Sequence, residues 1–336
     1  MKKALIFFLA MLLIFSIFGC KKEETPPENL EKPLIGVSLA GGSDEATVAL
    51  AEAFEQELTR LGFVPAVQCA EGDCPAQIRQ IEELIALNAK AVIVQAVDSI
   101  TLLETEQTLK ECNIPLIGCD TPLMDTDVAY GLVTYDYFSM GQKVAEAVVK
   151  AKGVDDKKAK PTTIELFMGA PEDGNSPLFS QGVLDVLKPY LESGKLVCKS
   201  GQTAYEDTYT PDDAESAKAA CTRRLRGTYT QRKPLEICIA ATDEIADGCR
   251  QALDKAGYTR KNWPALTGAG GTEKSRQAVK DDYMLLTVEK DPLTLARACA
   301  EMAKDAAQGK KISTDTTLSN NAMDVPTQFV DFNIIK

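Results

Sequence analysis

Short apolar segments alternate with amphipathic helical patterns from Leu34 to near the end of the chain. The pattern runs to an apolar segment at 128–133, restarts at Thr162 and ends with a predicted strand over 327–332. Strands that alternate with helices of roughly 10–15 residues are typical of parallel sheets covered by helices on both faces. Because such crossovers are right-handed, few topologies remain. The sequence therefore predicts an α/β fold with two doubly wound parallel-sheet lobes.

The length of 336 residues is suited to two domains of ordinary size. No proline-rich or glycine-rich linker separates the two halves of the pattern, so we expect the lobes to be joined by several chain crossings. We place three hinge crossings near 136–137, 289–290 and 323–327. The predicted lobes are an N-terminal one, 34–136 plus 290–324, and a C-terminal one, 137–289 plus 325–336.

The first twenty residues have the features of an export signal. Lys2 and Lys3 precede an apolar run over 4–18, which ends at Gly19 and Cys20. A charged start, a hydrophobic stretch of roughly 7–15 residues and a small residue before the cut are typical of a secretory signal. The run is shorter than the roughly 20 residues of a membrane span. Its end, Ile-Phe-Gly-Cys, resembles a bacterial lipobox, in which cleavage before the cysteine frees it for lipid attachment.

We therefore predict a lipoprotein signal peptide over 1–19, lipidation of Cys20 and a polar, proline-bearing tether over 20–33. The expected location is outside the cytoplasm, lipid-anchored to the cell envelope, either in the periplasm or on the outer face of the membrane. A plain secreted protein with an incidental cysteine is the alternative.

Composition excludes several classes of function. The formal net charge is −12 and no basic cluster offsets it, so we expect no nucleic-acid partner. Histidine is absent, which excludes Ser-His-Asp and Cys-His catalysis and histidine metal sites. The chain also lacks a Gly-x-Ser-x-Gly elbow and a Gly-x-x-x-x-Gly-Lys phosphate loop. We expect a non-enzymatic protein with no cofactor and no metal.

Nine cysteines remain besides Cys20, so at least one stays unpaired even in an oxidising compartment. Cys69 and Cys74 flank a turn-like stretch and are the best candidates for a disulfide. Cysteines inside or beside apolar runs are predicted to be small core residues. These are Cys119, Cys198 and Cys238.

In parallel α/β sheets, ligands bind beyond the carboxyl ends of the strands. Here those positions are rich in Asp, Asn, Thr and Gly, which offer donors and acceptors to a hydroxylated ligand. The same residue types also cap helices and form turns, so Asp120 and Asp136 are open to either role. The candidate segments are 40–44, 95–99, 120–121, 136–137, 169–175, 242–243, 268–271 and 289–290.

Three stretches carry a specific family resemblance: 164–175 (Ile-Glu-Leu-Phe-Met-Gly-Ala-Pro-Glu-Asp-Gly-Asn), 186–197 and 199–203. They closely resemble the multiple-sugar-binding branch of the type I periplasmic substrate-binding proteins, which also contains ribose and xylose binders. The resemblance extends over roughly residues 34–336. It implies a receptor that closes two lobes over a monosaccharide and presents it to an ABC permease.

The resemblance also implies roles for individual residues. Matching polar positions of the family are Asp120, Asp136, Asn175, Asp243 and Lys290. Thr121 stands in place of an arginine that accompanies the first aspartate, and Tyr137 in place of a hinge asparagine. Since several of the family's contacts are missing, we expect either a ligand less polar at one end or new contacts from Thr121, Tyr137 and Gln95.

The expected function is capture of a small, sugar-like ligand by hinge closure and its delivery to an ABC permease. We expect a monomer that meets the membrane only through its lipid anchor. Two alternatives remain open at this point. One is a sensor that presents its closed form to a histidine kinase or chemoreceptor, and the other is a binder of a less polar, non-sugar solute.

Overall fold

The computed structural model describes residues 32–336, apart from residues 231, 313 and 315. The predicted signal peptide, Cys20 and most of the predicted tether lie outside these residues. Within the described part of the chain, no helix has the length and hydropathy needed to cross a membrane. Residues 33–336 fold as one unit built on a seven-stranded sheet, a four-stranded sheet and a two-stranded sheet.

The first half of the chain alternates strand and helix as the sequence predicts. It ends with two successive strands that no helix separates. The elements are β1 (Leu34–Leu39), α1 (Glu45–Arg60), β2 (Val64–Cys69), α2 (Cys74–Ala86), β3 (Ala91–Val94), α3 (Leu103–Glu111), β4 (Leu116–Cys119) and β5 (Ala129–Tyr135).

The second half repeats the alternation and then returns to the first sheet. The elements are α4 (Tyr137–Lys152), β6 (Thr162–Phe167), α5 (Ser176–Glu192), β7 (Leu196–Val197), α6 (Tyr205–Thr208), α7 (Ala214–Leu225), β8 (Ile237–Ala240), α8 (Asp243–Lys255), β9 (Ala265–Thr267), α9 (Glu273–Lys280), β10 (Thr287–Glu289), α10 (Pro292–Ala307), β11 (Thr316–Ser319), β12 (Asp324–Val330) and β13 (Asn333–Ile335).

The first lobe is built on a seven-stranded sheet with the order β11-β12-β5-β4-β3-β1-β2. Its neighbouring strands pair in parallel, except for β11, which runs antiparallel to β12. Strands β3 and β4 are buried at every residue, as expected for strands covered on both faces. The predicted parallel α/β architecture is confirmed for this lobe.

The second lobe is built on the parallel order β7-β6-β8-β9. Single bridges from Thr267 to Leu286 and from Gly270 to Glu289 bring β10 beside β9. The last strand, β13, pairs antiparallel with β10 and closes that edge. The predicted parallel α/β architecture is therefore confirmed for the second lobe as well.

The third chain crossing differs from the prediction. Strand β12 pairs in parallel with β5, from Thr327 opposite Leu132 to Val330 opposite Tyr135. Residues 325–330 therefore belong to the first sheet, and the chain crosses to the second lobe at 331–332. The hydrophobic periodicity predicts a strand here. The sheet that this strand joins depends on pairing with residues almost 200 positions earlier, and the local sequence pattern contains no information about that pairing.

Helix α4, which the sequence analysis did not identify, packs against α5 through two glycines. A Cβ added to Gly141 would lie 2.2 Å from the Phe179 carbonyl oxygen. One added to Gly182 would lie 2.0 Å from the Phe138 carbonyl oxygen. The two helix backbones touch at these points, and this contact fixes the entry of α4 beside the first chain crossing.

All nine cysteines of the described residues are free thiols, including Cys69 and Cys74. Cys119 and Cys238 are fully buried on core strands, where they act as small apolar residues. Cys198 is half-buried, and its thiol lies 3.7 Å from the Glu165 carboxylate.

Candidate ligand-binding site

A cavity of about 400 Å³ lies between the carboxyl ends of the two sheets. The first lobe contributes the loops after β1, β3 and β4, including Gly41, Gln95 and Thr121. The second lobe contributes the loops after β6, β8 and β9, the loop before α7, and Phe179 of α5. Both lobes therefore form the walls, and this cavity is called the cleft below.

Three polar side chains meet where the chain crosses between lobes. Tyr137, the first residue of α4, donates its hydroxyl to Asp120, with the two carboxylate oxygens at 2.9 and 3.0 Å. Lys290, between β10 and α10, donates from Nζ to the Tyr137 hydroxyl over 3.0 Å and lies 3.6 Å from Asp120 Oδ2. We call Asp120, Tyr137 and Lys290 the hinge cluster. All three line the cleft.

The backbone of Asp120 is held as firmly as its side chain. Its φ is +60°, in the left-handed region that aspartate tolerates better than most residues. Its N–H donates to the Val133 carbonyl over 2.7 Å, and its carbonyl accepts from Thr134 Oγ1 over 2.7 Å. The same carbonyl accepts from Asn175 Nδ2 over 3.0 Å, a hydrogen bond that joins the lobes. Asn175 is 2% exposed and thus bridges the lobes instead of lining the cleft.

Burial and charge shift the pKa values of the hinge cluster. Desolvation acts to lower the pKa of Lys290, but the negative charges of the nearby Asp120, Asp173 and Asp212 act in the opposite direction and the pKa is raised. Desolvation, together with the neighbouring Asp120, holds the pKa of Tyr137 well above its ordinary value. The lysine is therefore a cation and the tyrosine a neutral donor at physiological pH.

Two further carboxylates, Asp173 and Asp212, line the cleft from the second lobe. Asp173 Oδ2 accepts from Ser176 Oγ over 2.7 Å, and Asp212 Oδ1 accepts from the Thr242 hydroxyl. Desolvation raises the pKa of each carboxyl, and neighbouring negative charges add to the effect. Asp173 falls within a segment that the strand-end rule selected. Asp212 was missed, because it lies in none of the segments that the strand-end rule selected.

Besides Asn175, two predicted site residues, Asp136 and Asp243, do not line the cleft. Asp136 caps α4, accepting from the Ser139 N–H over 2.9 Å. Asp243 is 4% exposed, and its carboxylate accepts from Thr272 N at 2.9 Å and from the Thr287 hydroxyl at 2.6 Å. Each carboxylate is engaged by its own lobe, so the geometry favours the capping and bracing role over the ligand contact expected of them.

Thr121 does line the cleft, as predicted. It directly follows Asp120, and its N–H donates to the Cys119 carbonyl over 2.6 Å. Gln95, the other residue expected to supply new contacts, is kept at the cleft wall by the fully buried Gln77, which donates to the Gln95 carbonyl over 2.9 Å. The sequence alone did not indicate Gln77, because an isolated glutamine in a helix carries no pattern.

Comparison with known proteins places this geometry in a family. A family model described as a periplasmic binding protein domain matches residues 35–311. The chain is 29% identical over 298 residues to the multiple sugar-binding periplasmic protein SbpA of Azospirillum brasilense, covering 88% of this chain and 83% of that protein. It is 27% identical over 304 residues to the multiple sugar-binding periplasmic receptor ChvE of Rhizobium radiobacter, covering 89% and 85%.

A solved structure agrees with these sequence matches. The ABC transporter solute-binding protein from Clostridium phytofermentans with bound β-D-glucose superposes with a TM-score of 0.85 at 25% identity. The match covers 90% of this chain and 93% of that one. The fold therefore has a counterpart in a solute-binding protein whose structure contains a sugar.

Proposed function

The chain belongs to the periplasmic binding protein family, and we propose that it captures a small, sugar-like ligand in the cleft and delivers it to an ABC permease. This is a family of solute-binding proteins and not of enzymes. Similar chains are named for multiple sugars, xylose, ribose and apiose, and several of those names include import. Because these names describe import, we favour delivery of the ligand to a permease over presentation of the closed form to a sensor.

The cleft is the observation that carries this proposal. Its volume of about 400 Å³ lies in the range of roughly 300–1,000 Å³ for small-molecule sites. Its lining alternates hydroxyl, amide and carboxylate groups with the ring of Phe179, which suits the hydroxyls and the apolar face of a sugar ring. We infer a ligand of monosaccharide size.

Closure of the lobes is the proposed mechanism. A ligand that contacts Gln95 and Thr121 on one wall and Ser176 and Thr242 on the other gains its full set of contacts only when the lobes are together. The hydrogen bond from Asn175 to the Asp120 carbonyl forms in the same arrangement. Ligand binding therefore shifts the population toward the closed form, which the permease would read.

Of the predicted contact residues, we assign Thr121, Tyr137 and Lys290 to the cleft wall, with Asp120 held among them. Asn175 is assigned to the contact between lobes. Asp136 and Asp243 are assigned to structural roles within their own lobes. We further propose a monomer, exported and held at the membrane by lipid on Cys20, which lies outside the described residues.

A thermal-shift screen of the purified mature chain against monosaccharides, nucleosides and polyols tests the proposal. A sugar at a hundred times its dissociation constant should stabilise the protein by about 2.7 kcal/mol. Stabilisation by nucleosides alone, with none by any sugar or polyol, would contradict it.

A further inference from the structure

The cleft wall carries more negative than positive charge. Among the described residues that line it, the carboxylates are Asp120, Asp173 and Asp212, and Lys290 is the single cation. That cation is already engaged by the hinge cluster, where it contacts the Tyr137 hydroxyl and Asp120. The charge left for a ligand is therefore that of Asp173 and Asp212.

Each of these two carboxylates has one oxygen available. Asp173 Oδ2 is occupied by Ser176 and Asp212 Oδ1 by Thr242. In the part of the chain that the structure describes, no hydrogen bond or ion pair reaches Asp173 Oδ1 or Asp212 Oδ2. Both side chains remain exposed to the cleft. Each carboxylate thus keeps one acceptor oxygen without a protein partner, and both belong to the second-lobe wall of the cleft.

The hydroxyls of a neutral sugar can donate hydrogen bonds to these carboxylates but bring no positive charge to offset theirs. Closure removes water from the cleft, and a carboxylate that loses water without gaining a partner of opposite charge is costly. Burial raises the pKa values of Asp173 and Asp212, so the protein itself already disfavours their charged forms. Within the described residues, no group of three or more acidic or cysteine side chains is arranged to hold a metal ion.

We propose that the preferred ligand carries a protonated amine on a hydroxylated ring, as an amino sugar does. This rests on the proposed function, since it names the ligand class of the same cleft. An ammonium group donates three hydrogen bonds and carries the positive charge that the hydroxyls of a neutral sugar lack. Charge-assisted hydrogen bonds of this kind are about twice as strong as neutral ones.

Calorimetry with matched sugars tests the inference. D-glucosamine, D-galactosamine and D-mannosamine are each compared with the neutral parent sugar and with the N-acetyl derivative, which keeps the nitrogen but removes the charge. At about pH 6.5 an amine with a pKa of roughly 7.7–8.0 is protonated. We expect at least one amine to bind about tenfold or more tighter than both of its neutral counterparts.

Substitution of the two carboxylates tests whether they produce the preference for the amine. Asp173→Asn and Asp212→Asn should each weaken binding of the amine by a larger factor than binding of its neutral parent sugar, so that most of the preference for the amine is lost. The control is Asp127→Asn, an exposed aspartate paired with Lys110 that does not line the cleft, and it should keep the preference. Thermal melting of each variant confirms that it is folded.

The outcomes separate the two claims. If neutral sugars bind as tightly as the amines, the inference is overturned and the proposed function stands. If no sugar of either kind binds, both are overturned. A preference that survives in both cleft variants would also overturn the inference, because another group would then supply it.

Discussion

Tyr137 donates its hydroxyl to the carboxylate of Asp120 at 2.9 Å, across the first crossing between the lobes. Asp120 follows β4 of the first lobe, and Tyr137 opens α4 of the second. The protein's own phenol therefore donates to a carboxylate that the family resemblance placed among the expected ligand contacts. This changes which side chains are free to bind a ligand.

Replacing Tyr137→Phe should lower the free energy of unfolding by about 1.5–3 kcal/mol, because it removes a buried hydrogen bond to a charged group. Chemical denaturation measures the change. The matched control is Tyr209→Phe, since Tyr209 is 44% exposed and should be insensitive. Equal stability of the two variants would mean that the hinge cluster contributes nothing to the fold.

Asp136→Ala should lower stability by about 1 kcal/mol, the usual effect of losing a helix N-cap, and leave ligand affinity unchanged. Asp243→Ala should lower stability more, by about 1.5–3 kcal/mol, because it leaves the Thr272 N–H and the Thr287 hydroxyl without their acceptor. Denaturation and calorimetry on the same variants check both properties. A large loss of ligand affinity at unchanged stability would contradict the structural assignment and show that these aspartates contact the ligand.

Asp173 and Asp247 should respond oppositely to pH. Desolvation raises the pKa of Asp173, so its contribution to stability falls as pH rises through that value, and Asp173→Asn should stabilise the unliganded protein at neutral pH. Desolvation also acts on Asp247, but hydrogen bonds from Lys274 and Arg250 lower its pKa. Its contribution is present at neutral pH and is lost as pH falls, so Asp247→Asn should destabilise.

Both differences should shrink in acid near the unfolded-state aspartate pKa of about 3.9 and below it, where carboxyls become protonated. Urea titrations of the two variants across this pH range make the comparison. Destabilisation by Asp173→Asn at neutral pH would show that burial of the charged Asp173 carboxylate does not lower the stability of the folded protein.

Cys20→Ala should abolish incorporation of a labelled fatty acid in cells, because Cys20 is the proposed lipid attachment site. The control is Cys112→Ala, which removes an exposed thiol of the folded lobe and should leave labelling intact. Persistent labelling of the Cys20 variant would place the lipid elsewhere.

Much of the fold follows from local pattern, and part of the site follows from the fold. Strand alternation predicts two parallel sheets, and the carboxyl-end rule selects the segments that contain Gly41, Gln95, Thr121 and Thr242 of the cleft wall. The carboxyl-end rule predicts which segments lie at the cleft, but it does not predict which of their side chains face it. Asp136 turns back to cap its own helix, a choice made by backbone geometry that composition does not reveal.

Long-range pairing accounts for the other differences. Residues 325–330 have the same apolar character whichever sheet they join, and only the register with β5 decides. Asp212 lies beside Thr242 because α7 and α8 pack together, although the two residues are 30 positions apart. Neither relation leaves a signature within a short window of sequence.

The central claim is that a sugar is held between the lobes and draws them together. Small-angle X-ray scattering of the mature protein, with and without a saturating sugar identified by the thermal-shift screen, tests it most directly. We predict a smaller radius of gyration in the bound form, with the reduction lost when the sugar is dialysed away. An unchanged radius at proven saturation would contradict the claim, since the sugar would then bind without moving one lobe toward the other.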